Sequence, residues 1–246
     1  MLFLLLLCLS VFSPQKILAT NLDQAKNDYL YQRSLYQIDY NNYQEKLQIH
    51  QKFFSITTKQ DLFEAQKKVL ISRNQNLKTY LIYLRQKLNQ SQFRQEINQQ
   101  LSQQLLSHEN WLFDQVKQIG NSRKLAELKP ISFEFNQKYP EILNTLYSAL
   151  SQIQITQQQS ILLQITQLKQ EIQNQNSQVD PQWFENFDQQ TKTINQHLQN
   201  AFLLVQPENN KQDKDFYQKV KKELKNSQSL LIKTKEDLKS IIVKFF

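Results

Sequence analysis

The chain has a single glycine, Gly120, among 246 residues, and only 5 prolines. Glycine is the usual source of positive φ, tight turns and close backbone approach to a ligand. A phosphate-cradling loop needs several glycines, so that chemistry is excluded. Cysteine is just as scarce. Cys8 is the only thiol and lies in a segment expected to be removed, so the mature chain has no disulfide, thiolate metal site or cysteine nucleophile. There is no Gly-x-Ser-x-Gly elbow and no His-Glu-x-x-His pair. None of the three histidines, His50, His108 and His197, has a Glu three residues earlier, as di-iron bundles require. Strand signals are missing too, with no Asn-Gly or Asp-Gly turn and no alternating β-branched run. These absences predict a non-enzymatic protein with no cofactor and no metal.

What the chain does contain is Gln, at about one residue in six, together with 10 Tyr, 15 Phe and 2 Trp. Gln-rich tracts elsewhere mark aggregation-prone disorder. Here Ile or Leu interrupts them every third or fourth position, which instead gives a narrow apolar stripe on a broad polar helix face. With few residues able to turn the chain sharply, the segments between turns must be long. The expectation is an all-α fold without β-sheet: an elongated antiparallel bundle, or coiled-coil hairpins, of about six long helices.

Leu2–Phe12 is an apolar run followed by Pro14 and by Ile17-Leu18-Ala19, the pattern of a secretory signal with cleavage near Ala19. The run is too short to span a bilayer comfortably. No Lys or Arg precedes it, which leaves an uncleaved N-terminal membrane anchor as the competing reading. The expected location is extracytoplasmic, either secreted or in the cell envelope.

The mature chain divides into an N-terminal helical region (20–120), a bend or boundary segment (121–140) and a C-terminal helical region (141–246), with three long helices in each region. The first helix runs from about Asn21 to Phe54. Thr57 and Gln60 stand in capping-box register for the second, and Ser91 is a candidate cap for the third. Phe93, Ile97, Leu101, Leu105, His108, Leu112, Val116 and Ile119 form the third stripe, where His108 reads as a satisfied core histidine. Gly120 follows where a left-handed C-terminal cap belongs. Pro130 and Pro140 mark the bend, and the fourth helix starts after Pro140 with Gln157 as a polar interruption of its stripe. Asp180-Pro181 opens the fifth helix as N-cap and first helical residue, and Pro207 ends it. Tyr217, Val220, Leu224, Ser227, Leu231, Thr234, Leu238, Ile241 and Phe245 keep a three-four alternation through the sixth.

The net charge is +8, and it is uneven. Residues 141–206 carry 2 Lys+Arg against 5 Asp+Glu, whereas 207–246 carry 10 against 6. Two binding faces follow. Tyr29, Tyr36, Tyr40 and Tyr43 form a tyrosine face suited either to a partner or to packing on the second helix near Tyr80 and Tyr83. Lys221, Lys222, Lys225, Lys235 and Lys239, with Phe245 and Phe246, give the last helix a basic, apolar-ended surface. The leading expectation is a scaffold, spacer or adaptor acting through a protein partner or self-association by coiled coil. The alternative is a peripheral binder of an anionic membrane through 211–246. Nucleic acid is disfavoured by the export signal and the scarcity of Arg.

Overall fold

The computed structural model describes residues 15–91, 93–175, 179–206 and 215–245. Six helices occur among them: α1 Gln15–Phe53, α2 Ile56–Asn89, α3 Gln95–Asn121, α4 Leu125–Gln175, α5 Pro181–Val205 and α6 Phe216–Phe245. No strand is present among the described residues, and the all-α helical bundle is the fold that forms. Residues 1–14 lie outside the described residues, and with them the apolar run, Cys8 and Pro14 of the expected signal. The backbone at Ala19 is helical, as part of α1. Pro207 and Phe246 also lie outside the described residues, as do the side chains of Ala19 and Phe245.

The chain separates into two compact units, Met1–Gln90 with Gln99–Leu146, and Ser91–Asn98 with Tyr147–Phe246. In the first unit successive helices run antiparallel, as cross-helix contacts show. Lys68 meets Asp39 at 3.3 Å between α1 and α2. Lys67 donates to the Ser122 carbonyl from α2 at 3.0 Å. Gln115 on α3 donates to Glu134 on α4 at 3.0 Å. Leu81, Leu84, Leu105, Leu112, Ile119, Leu128 and Ile142 are almost wholly buried and make the core. This interior also holds polar groups. Arg85 makes a two-pronged ion pair with the buried Glu109, at 2.8 and 2.9 Å. The Arg73 guanidinium lies 3.5 Å from the centroid of the Phe135 ring. Burial pushes its pKa down to about 10, against a smaller upward influence from Tyr36. His108 is buried with Nε2 3.1 Å from the Thr145 hydroxyl, and desolvation lowers its pKa. It is a core histidine, as its place on the α3 stripe implied, but it is only half satisfied, since Nδ1 is buried without a hydrogen-bond partner.

Several helix boundaries differ from the sequence expectation. The cap of α2 is Ser55, not Thr57: the Thr58 amide donates to Ser55 Oγ and the Ser55 amide donates to Thr58 Oγ1, both at 3.1 Å. Ser55 takes this role because it holds the extended conformation of an N-cap, φ −113° and ψ 166°. Ser91 precedes α3 by several residues and bonds locally to Phe93, so α3 starts at Gln95. Asp180 behaves as expected, with Oδ1 accepting from the Gln182 amide at 2.9 Å and Pro181 in the first turn.

Gly120 is not a left-handed cap, since no glycine has positive φ and α3 continues to Asn121. The exposed carbonyls at this end are met by Ser122, whose amide donates to the Ile119 carbonyl and whose hydroxyl donates to the Gln118 carbonyl, both at 3.1 Å. That makes glycine replaceable. A Cβ added there meets nothing within 4 Å. Gly120→Ala is expected to raise stability by about 0.4–1 kcal/mol, because alanine fits this backbone and restricts the unfolded chain. A urea midpoint equal to or below that of the parent would refute this.

The bend expected over 121–140 is confined to residues 122–124 between α3 and α4. Pro130 and Pro140 both lie inside α4. An internal proline removes a helical hydrogen bond and costs about 3 kcal/mol. Tertiary packing outweighs it here, because Leu128, Ile131, Phe135 and Ile142 on either side are buried.

Candidate functional site

The second unit is built on α4 from Tyr147, α5 and α6. α5 runs antiparallel to both other helices. His197 Nδ1 lies 2.7 Å from Glu223 on α6. The buried Lys169 of α4 reaches both carboxylate oxygens of Asp188 on α5 at 3.1 Å. Their shared core contains Leu162, Ile165 and Ile172 of α4, Phe187, Ile194 and Leu198 of α5, and Val220, Leu224, Leu231 and Leu238 of α6. From Val220 to Leu238 the three-four stripe expected on α6 is this buried seam, including Ser227 and Thr234 at wholly buried positions, with Tyr217 and Ile241 half-buried at its ends. Thr234 satisfies its hydroxyl with Gln190 of α5 at 2.8 Å.

α4 and α6 run parallel. The Tyr147 and Tyr217 rings stack at 4.1 Å between centroids. Further along, Gln158 donates to the Leu224 carbonyl at 3.1 Å. Between the two helices lies an open groove of about 1000 Å³. Its apolar lining includes the buried Ile165, Leu224, Leu231 and Leu238, and three large side chains left open: Ile161 at 43%, Leu168 at 42% and Ile232 at 52% exposure. Its α6 rim carries Lys221, Lys222, Lys225 and Lys235. Its α4 rim carries Gln154, Gln157, Gln158 and Gln164. Tyr217 lines the same groove, and burial followed by the neighbouring Tyr147 raises its pKa.

The groove follows from α4 having two adjacent apolar stripes. Ile155, Leu162, Ile165 and Ile172 face the core, and Ile161 with Leu168, one heptad apart, lie on the groove side. Gln157 is therefore exposed on the groove rim and does not interrupt the buried seam. The buried polar residues of α4 are Thr145, Ser148, Ser151, Gln152, Thr156 and Lys169, and Gln152 donates to Asn98 at 3.0 Å. The signal for the groove was present in Ile232, an apolar residue directly after the seam residue Leu231 and outside the three-four pattern.

Four of the five lysines singled out from sequence thus converge on one groove, and Lys239 is exposed outside it. The side chains of Phe245 and Phe246 are outside the described residues. The tyrosine face lies in the first unit. Tyr29, Tyr36 and Tyr43 are half-buried and Tyr40 is exposed. Tyr29 packs on α2, with ring centroids 4.7 Å from Tyr80 and 6.5 Å from Tyr83. Among the described residues no group of three His, Cys, Asp or Glu stands together in a way that could hold a metal ion. No known protein family, curated protein or solved structure matches this chain.

Proposed function

We propose that this chain is a non-enzymatic interaction scaffold, exported to the cell envelope, whose α4–α6 groove receives an amphipathic helix with acidic residues along one edge. The observation that carries the reading is the groove itself, with an apolar floor, three exposed aliphatic side chains and four lysines on one rim. Such a surface takes a helix whose apolar face enters the groove. The lysine rim selects its charge, since complementary charge at a rim sets partner choice and association rate more than raw affinity. The groove spans 154–168 on α4 and 217–238 on α6, roughly 20–30 Å at 1.5 Å per residue, the length of a helix of about 15–20 residues. Export rests on the apolar run at Leu2–Phe12 and the small residue Ala19.

The membrane alternative for 211–246 asks α6 to present its apolar stripe to a bilayer. Val220, Leu224, Leu231 and Leu238 of that stripe belong to the core of the second unit, so the coiled-coil reading is the better supported.

A designed 20-residue helical peptide with a Leu/Ile stripe and Glu along one edge tests the proposal, against the same peptide with Lys at those positions. By fluorescence anisotropy the acidic peptide is expected to bind roughly tenfold tighter or more, a difference of about 1.4 kcal/mol. Lys221→Glu with Lys225→Glu is expected to erase that preference. Equal binding of the two peptides would sink the idea. So would a concentration-dependent dimer that Ile232→Arg converts to monomer, which assigns the groove to a second copy of the chain.

A further inference from the structure

The α1–α2 connection is unlike an ordinary surface turn. Loop tips normally carry small or polar residues. Here Phe53, Phe54 and Ile56 are 61%, 82% and 90% exposed. They sit where two antiparallel helices reverse direction, so they form a convex knob of three large apolar side chains. A concave protein pocket or a soft flat surface can receive such a knob, whereas a helix or an extended peptide cannot enclose it.

The backbone adds a second observation. Phe54 has φ 22°, in the left-handed region that favours glycine or asparagine. The conformation is held by its amide, which donates to the His50 carbonyl at 3.1 Å. An aromatic residue in this conformation is strained. Its ring meets the His50 ring at 5.0 Å between centroids yet remains almost fully exposed. Strain maintained for a side chain that fills no core points to a use outside the folded chain.

Charge decides between the two kinds of surface. Residues 46–60 contain three lysines and no Asp or Glu. Lys46 is tied to Asp61 at 3.8 Å. Lys52 and Lys59 flank the knob and make no ion pair among the described residues. The Lys52 ammonium stands 5.2 Å from the Phe53 ring centroid. Exposed aromatic and aliphatic residues flanked by two lysines match the interface of an anionic bilayer. Rings enter the acyl boundary there, and ammonium groups remain with the phosphates. No helix among the described residues is long and apolar enough to cross a membrane, so the contact is a surface one.

We propose that the α1–α2 tip docks the chain on an anionic lipid surface, with Phe53, Phe54 and Ile56 inserted at the interface and Lys52 and Lys59 at headgroup level. The test uses the full chain with Cys8→Ser and Thr57→Cys, labelled at residue 57 with an environment-sensitive fluorophore. It is mixed with vesicles of phosphatidylcholine and phosphatidylglycerol, or of phosphatidylcholine alone. The expected result is a blue-shifted emission with the anionic vesicles that weakens as salt rises. Phe54→Asn with Ile56→Ser is expected to lower the apparent affinity of the tip roughly tenfold or more, by removing apolar area from the contact. Its helical circular dichroism should be unchanged, since Asn tolerates the backbone at 54. Lys52→Glu with Lys59→Glu is expected to remove the preference for anionic lipid. Because the fluorophore reports on residue 57 itself, binding through another part of the chain does not mimic the result. An unchanged spectrum with both vesicle types overturns the proposal. So does an unaltered shift in the Phe54→Asn, Ile56→Ser variant.

Discussion

Arg85→Ala is expected to destabilise the first unit by about 3 kcal/mol, the lower end of the range for removing one partner of a buried ion pair. Glu109 is 3% exposed and loses both of its charge-assisted hydrogen bonds, at 2.8 and 2.9 Å, when the guanidinium goes. The Arg85 side chain retains 24% exposure, which lets some water reach the vacated site and keeps the cost below the top of that range. The pair itself is a different matter. Desolvating two charges offsets much of their attraction, so Arg85→Met with Glu109→Leu is expected to cost far less than Arg85→Ala alone. Urea denaturation of the single and double variants decides it. A double variant as unstable as the single would mean that the ion pair itself is net stabilising, and that the orphaned carboxylate is not what carries the effect.

Leu224→Ala is the second large effect, at about 2–5 kcal/mol for a buried leucine. Leu224 belongs to the core of the second unit and to the lining of the groove. Its truncation leaves a cavity between helices whose neighbours are already fixed by the Gln158 bond to the Leu224 carbonyl. By contrast, Lys221→Glu with Lys225→Glu alters exposed side chains on the rim, and such changes usually stay within about 0.5 kcal/mol each. Thermal melts of the two variants therefore separate foldedness from recognition. The leucine variant melts lower, and the lysine variant melts with the parent while losing its selectivity for acidic helices. Similar melting of Leu224→Ala and the parent would show that the groove floor collapses without loss.

Helix content was readable because both helix signals are local. The three-four stripe of α6 and the Asp180-Pro181 cap depend on residues within a few positions of each other, and both are found. What sequence misplaced depended on tertiary contacts. Pro130 and Pro140 read as breaks because their cost is intrinsic, whereas the burial of Leu128 and Ile142 that overrides it is not visible in sequence. Gly120 read as a cap because glycine is scarce, but Ser122 met the carbonyls. The lysines of α6 were found from their charge alone. Their apolar complement on α4 is hidden in sequence, since Ile161 and Leu168 fall at three-four spacing with the buried Ile165 and Ile172, and only packing separates the two stripes. The α1–α2 tip went unread for a related reason. Phe53 stands four residues after Ile49, at ordinary helical spacing for an apolar face, and only the position of the turn puts it in solvent.

Among the described side chains, α1 contributes only Ala25 and Asp39 to the buried set. Its grip on α2 is otherwise made of half-buried rings such as Tyr29 and of single ion pairs such as Asp39 with Lys68. A helix with so few wholly buried groups lies at the low end of local unfolding free energies, where amide protons exchange without global unfolding. Phe53 is the last residue of that helix and Phe54 follows directly. The apolar knob is thus borne by the part of the first unit that can detach at least cost. Anything that grips the knob acts on the opening equilibrium of α1 before it acts on the rest of the chain.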